Sequence, residues 1–202
     1  MGHARLIAAA LEREPPGSVP LSIVELGAGD GSLLLRVAAR LRNERRPVNA
    51  LLVDRAPLLS ASTRAGFHAR GWQVESVASD IFEWLSARET CGADVMLANL
   101  FLHHFDDGAV RELFDAAARQ TRCFVACEPL RARMSLAAIP FMRLMGCNTV
   151  TLHDGEVSVR AGFRGAELGA LWPRSSKWHI DERRAGLFTH FFAARASMPH
   201  LA

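Results

Sequence analysis

The chain has 202 residues, half of them hydrophobic and 22% charged, with a formal net charge of +3 and a pI near 9.0. That size suits one domain, residues 1–202, with a full core, and the composition is that of a globular protein. No run approaches the roughly 20 uncharged apolar residues of a membrane helix, and the start lacks the plan of a signal peptide, so the expected setting is the cytoplasm with no membrane partner. The positive charge is nearly all Arg, with Lys177 the single lysine. The Arg residues are scattered apart from the doublets Arg45-Arg46 and Arg183-Arg184. A nucleic-acid binder would show a basic stripe with interleaved aromatics, so no nucleic-acid partner is expected.

In chain order, His3 to Arg13 reads as a short opening helix closed by Pro15-Pro16-Gly17. Leu21 to Leu26 is a first strand, followed by the loop Gly27-Ala-Gly29-Asp30-Gly31 and a helix over Leu33–Leu41. Asn49 to Val53 is a second strand ending at Asp54; Pro57 to Arg70 is helical; Trp72 to Val77 is a third strand. Ile81 to Ala87 is a short helix, Ala93 to Ala98 a fourth strand ending at Asn99, Asp107 to Arg119 a helix, and Cys123 to Ala126 a fifth strand ending at Glu128-Pro129.

The tail departs from this alternation. Met134 to Met145 is an apolar helix candidate broken by Pro140, and Gly165 to Leu171 is a short helix. Trp178 to Arg183 and Leu187 to Ala194 read as strands joined at Ala185-Gly186, a hairpin turn. Alternating strands and helices predict a parallel α/β sheet with helices on both faces.

Four cysteines occur, at 91, 123, 127 and 147. Cys123 and Cys127 fall on one strand, too far apart to bridge, and no CxxC or zinc spacing is present. Buried free thiols and no metal are the expectation.

Ligands of open parallel sheets sit outside the carboxyl ends of the strands. There the first strand runs into Glu25-Leu26-Gly27-Ala28-Gly29-Asp30-Gly31, an E-x-G-x-G-x-G pattern. A dinucleotide fingerprint wants G-x-G-x-x-G, whose third glycine would fall on Ser32. Glu25 would repel a pyrophosphate but suits a ligand with an ammonium group. Asp54 lies at the distance expected of a carboxylate that grips ribose hydroxyls, with Arg55 beside it. Asp80-Ile81 follows the third strand, where an acid could hold an adenine amino group and an apolar side chain cover its ring. Asp94 to Asn99 continues into Leu100-Phe101-Leu102-His103-His104-Phe105.

Together these motifs resemble the class I S-adenosylmethionine (SAM)-dependent methyltransferases of the small-molecule type, from about Leu21 to Arg195. The resemblance implies a Rossmann-like seven-stranded sheet of order 3-2-1-4-5-7-6 with strand 7 antiparallel. It assigns Glu25, Gly27, Ala28, Gly29, Gly31, Asp54, Arg55, Asp80, Ile81, Asn99 and Leu100 to SAM and its product S-adenosyl-L-homocysteine. It also places a substrate-side insertion at about 130–172, where Met134, Phe141, Met142, Met145 and His153, with His104, are candidate acceptor contacts. This chain has only one short helix before its first strand, where such proteins often have more. It has no Tyr, so the Asn-Pro-Pro-Tyr motif of amino-methylating enzymes is absent.

Methyl transfer from a sulfonium needs alignment rather than leaving-group protonation, so a base matters only for a protonated nucleophile. His103 and His104 are the candidate bases for a phenolic hydroxyl; the alternative is that one packs while the other caps or pairs with Asp106-Asp107. The expected activity is O-methylation of a small, fairly apolar, phenolic, polyketide-like or quinone-like acceptor, and a homo-oligomer is compatible with the sequence. Two other classes fit a glycine loop here. An NAD(P)-dependent oxidoreductase of the common short-chain type would need a Tyr-Lys proton donor, against no Tyr and one Lys. A non-catalytic SAM-binding partner protein would bind the cofactor without turnover.

Overall fold

The computed structural model describes residues 2–13, 20–41, 47–56, 58–87, 92–131 and 161–197. The elements are α1 (Gly2–Leu11), β1 (Leu21–Leu26), α2 (Ser32–Ala38), β2 (Val48–Asp54), α3 (Ala61–His68), β3 (Trp72–Ala78), α4 (Ile81–Ser86) and β4 (Ala93–Asn99). There follow a 3-10 turn at Leu102–His104, α5 (Asp107–Gln120), β5 (Thr121–Pro129), α6 (Glu167–Leu171), β6 (Trp178–Arg184) and β7 (Thr189–Ala196). The strands form one seven-stranded sheet of order β3-β2-β1-β4-β5-β7-β6. β1 to β5 pair in parallel, and β7 runs antiparallel to both β5 and β6.

Strands buried on both faces read as nearly continuous apolar runs, and β4 and β5 do so because helices cover each side. On one face α1 and α2 bury Ile7, Leu11, Leu34 and Val37 against Ile23, Leu97 and Val125. On the other, α4 and α5 bury Trp84, Val110, Leu113 and Phe114 against Met96, Phe124 and Phe192. Val110, Leu113, Phe114 and Ala117 fall at the helical spacing of one apolar stripe. Phe114 packs at 4.9 Å from Trp172 and 5.3 Å from Phe124, ring centre to ring centre. Cys123 and Cys127 are buried on the α1 face, and burial pushes the pKa of the Cys127 thiol up to about 12. Among the described residues no helix is long and apolar enough to cross a membrane.

Several boundaries move from the sequence expectation. The third helix starts at Ala61 rather than Pro57, because the Ser60 hydroxyl accepts the Thr63 N–H and caps it there. β5 runs from Thr121 to Pro129, longer than the apolar core Cys123–Ala126, because both ends find backbone partners: Ala93 opposite Thr121, and Thr189 opposite Pro129. β7 begins at Thr189; Leu187 and Phe188 are exposed and belong to the turn, where Gly186 takes φ +87°. Asp94, which opens the strand-four motif, lies at the amino end of β4. It accepts the Ser22 N–H and lies 3.6 Å from Arg122, so it ties strands together far from the ligand edge.

Candidate functional site

The order β3-β2-β1-β4-β5 brings the carboxyl ends of five parallel strands to one edge. Gly27, Asp54, Arg55, Asp80, Ile81, Phe82, Phe101 and Phe105 line a cleft there. Sequence reading anticipated five of these eight; the three phenylalanines are additions. Phe101 meets Phe105 edge-on at 5.0 Å, and Phe105 meets Phe82 edge-on at 5.4 Å, giving the cleft an aromatic wall. The Phe101 ring also sits against Gly27. A Cβ on Gly27 would fall 2.2 Å from the Phe101 ring, and φ is +67°, so only glycine fits.

The glycine loop is held by its own hydrogen bonds. The Gly27 and Ala28 N–H groups both reach the Val53 carbonyl, and the Gly31 N–H reaches Ala28. The Gly29 N–H donates to Asp54 Oδ2 at 2.8 Å, and the Ser32 N–H to Asp30 Oδ1. A pyrophosphate cradle needs free N–H groups aimed at the ligand. Here five loop donors are already used, and Asp30 and Asp54 make the surroundings electronegative. This favours a ligand with hydroxyl and ammonium donors.

Asp54 accepts one N–H on each oxygen, from Gly29 and Ala56, so it braces the loop at the end of β2 rather than capping the third helix. Asp80 Oδ1 caps α4 through the Phe82 N–H at 2.8 Å, while Oδ2 lies 3.9 Å from Arg55. Glu25 is 2% exposed and its Oε2 has no hydrogen-bond partner among the described residues. Burial, reinforced by Asp30 and Asp54 and opposed by Arg36, pushes its carboxyl up to about 8. A buried acid whose oxygen finds no donor among the described residues suits a donor carried by a ligand.

Asn99 and Leu100 end β4. Leu100 adopts φ +51°, an uncommon conformation for a non-glycine residue that costs about 1–2 kcal/mol. The turn delivers the Phe101 and Leu102 N–H groups to Glu128 Oε1, each at 3.0 Å. Glu128 Oε2 then meets the Nδ1 of His103 at 2.8 Å. The Glu128 side chain is fully buried, and a carboxylate surrounded by N–H groups acts only as acceptor. His103 Nδ1 therefore carries a proton, which makes Nε2 the lone-pair nitrogen whenever the ring is neutral. The alternative, a histidine pairing with Asp106-Asp107, does not occur among the described contacts of His103 and His104. Asp106 instead caps α5 through the Ala109 N–H at 2.8 Å. His104, exposed overall, stacks obliquely on His103 at 4.1 Å; partial desolvation of its ring and the neighbouring imidazole hold its pKa below the usual value, against an opposing pull from Glu128.

Sequence reading missed Glu128 as a site residue, although an acid ending an apolar run at the ligand edge was the available signal. It also missed His3, whose ring bonds Asn99 and Thr189. Met134, Phe141, Met142, Met145 and His153 lie outside the described residues. Among the described residues no group of three or more His, Cys, Asp or Glu is gathered as metal ligands would be.

No protein-family model and no curated protein matches the chain. Solved structures do. A candidate O-methyltransferase from Nostoc punctiforme superposes with a TM-score of 0.64 at 16% identity, over 95% of this chain and 55% of that one. The mitomycin 7-O-methyltransferase gives 0.57 at 19% identity, over 96% and 53%. Human N-acetylserotonin methyltransferase, solved with SAM, gives 0.56 at 14% identity, over 98% and 52%. The chain thus spans about half the length of these structures. At such identities the likeness is one of fold: the chain has the seven-stranded Rossmann-like sheet of the class I SAM-dependent methyltransferases.

Proposed function

We propose that this chain transfers a methyl group from SAM to a hydroxyl of a small, fairly apolar acceptor of phenolic, polyketide-like or quinone-like type. The observation that carries the reading is the buried His103–Glu128 pair beside a cleft built from the E-x-G-x-G-x-G loop, Asp54 and Asp80.

The residues present fit the cofactor. Gly27 lets backbone approach without a Cβ, Asp54 and Asp80 offer carboxylates to ribose hydroxyls and an adenine amino group, Ile81 offers an apolar cover, and the orphan oxygen of Glu25 suits an ammonium group. When bound, SAM supplies a sulfonium methyl, an electrophile that reacts with a correctly placed nucleophile. Glu128 fixes the His103 tautomer, and His103 Nε2 takes the proton from the acceptor hydroxyl. Phe101, Phe105 and Phe82 give the cleft an apolar wall. No metal enters this scheme. A free small molecule, rather than nucleic acid or membrane, is the proposed acceptor, and the cytoplasm the proposed setting.

Calorimetric titration with SAM, S-adenosylhomocysteine and NADH tests the class. Binding of both adenosyl ligands, lost in Asp54→Ala, supports the proposal; binding of NADH alone overturns it in favour of an oxidoreductase. A phenol and quinol screen then tests the acceptor. Adenosyl binding without turnover on any hydroxylated acceptor would leave a SAM-binding partner protein as the better reading.

A further inference from the structure

The first turn of α1 reaches the end of β4 through one imidazole. His3 Nδ1 lies 2.7 Å from Asn99 Oδ1, and His3 Nε2 lies 2.9 Å from the Thr189 hydroxyl. The Asn99 carbonyl oxygen can only accept, so Nδ1 carries the proton. Burial holds the His3 pKa below its usual value, with the Asn99 bond pulling the other way, so the ring is neutral at physiological pH. Nε2 then accepts from the Thr189 hydroxyl. The bonds run in one direction, from Thr189 to His3 to Asn99. They fix the Asn99 carboxamide with its oxygen turned to α1 and its NH2 turned away. That NH2 makes no hydrogen bond among the described residues, and Asn99 is partly exposed.

The place of that donor follows from register. Leu26 of β1 is level with Ala98 of β4, so Gly27 and Asn99 leave the sheet side by side. Strand spacing puts neighbouring strands about 4.8 Å apart. Across the edge the groups follow strand order: Asp80 after β3, Asp54 on β2, Gly27 after β1, Asn99 on β4. Carboxylates suited to adenine and ribose lie at one end, and a free N–H donor at the other. At the amino-acid end of an adenosyl-amino-acid ligand the acceptor-only group is the α-carboxylate, and among the described edge residues Asn99 offers it a neutral amide donor on the side away from Asp54 and Asp80.

We infer that the Asn99 NH2 binds the α-carboxylate of the cofactor and that His3 is the positioning residue that aims it. The inference rests on the proposed use of SAM and extends the site to α1.

The test compares two ligands by titration calorimetry: S-adenosylhomocysteine, and 5′-methylthioadenosine, which keeps the adenosine and thioether but lacks the amino-acid portion. Asn99→Asp keeps an oxygen for His3 and removes the donor, so it should weaken S-adenosylhomocysteine about tenfold or more while leaving methylthioadenosine unchanged. His3→Ala should weaken S-adenosylhomocysteine selectively by a smaller factor, and His3→Gln, whose amide can still donate to Asn99, should restore much of it. Equal loss for both ligands, or no loss for either, overturns the inference, since a merely structural strap would not discriminate between them. If the unaltered protein binds neither ligand, the methyltransferase reading itself falls, which is a different result from equal binding in wild type and Asn99→Asp.

Discussion

His103 Nδ1 and Glu128 Oε2 are 2.8 Å apart in the interior, and the same carboxylate accepts the Phe101 and Leu102 N–H groups that precede the histidine. Backbone and ring are thus aimed by one acid from another strand. Glu128→Gln replaces half of that acceptor with an NH2 and sets donor against donor. In the proposed reaction kcat should fall about 100-fold or more, as for loss of a working base, while S-adenosylhomocysteine affinity changes little. Turnover with an acceptor found in the screen, measured beside calorimetry, checks this; a matched loss in both would point to collapse of the cleft.

A side chain on Gly27 would run straight into the Phe101 ring. Gly27→Ala should cost about 1–3 kcal/mol by overpacking and abolish adenosyl binding. In a Phe101→Ala background the same change should cost only about 1 kcal/mol, the residue of its left-handed backbone. A double-mutant cycle on urea midpoints measures the coupling; additive costs would mean the ring does not press on the loop.

Glu25 is neutral in the folded protein up to about pH 8 but ionises near the ordinary carboxyl value of 4.5 when the chain unfolds. Between those values the folded state holds the extra proton, so this group's contribution is fully present below about pH 4.5 and is lost as pH rises to about 8, at about 1.4 kcal/mol per pH unit at most. Glu25→Gln removes that slope. Its stability relative to wild type should rise from pH 5 to pH 8 and level off above, as read from chemical denaturation at several pH values. A flat difference across that range would show Glu25 ionised in the native state.

Glu182 and His190 form a second buried pair, at 2.7 Å, and Glu182 also accepts the Leu168 and Gly169 N–H groups of α6. Removing the acid strands three donors. Glu182→Ala should destabilise the fold by about 3–5 kcal/mol, the cost seen when one partner of a buried pair is deleted. Urea denaturation reads the loss; a change below 1 kcal/mol would mean water replaces the carboxylate.

The glycine loop, Asp54, Asp80 and the succession of strands and helices were legible in the sequence because each depends on local signals. Periodic burial marks a strand or a helix, a glycine cluster marks a left-handed turn, and an acid at a strand end marks the ligand edge. Strand ends were less legible, since Thr121, Arg122 and Pro129 join β5 through neighbours' backbone groups rather than through an apolar pattern. The sequence also offered His103 and His104 as equals. Only the fold separated them, by bringing Glu128 to His103 across 25 residues and leaving His104 exposed. The same holds for His3 and Asn99, 96 residues apart, and for Phe101 on Gly27. Such pairs leave no periodic trace, because what joins them is the alignment of strand ends at one sheet edge. That alignment exists only once the strands have paired in the order 3-2-1-4-5-7-6.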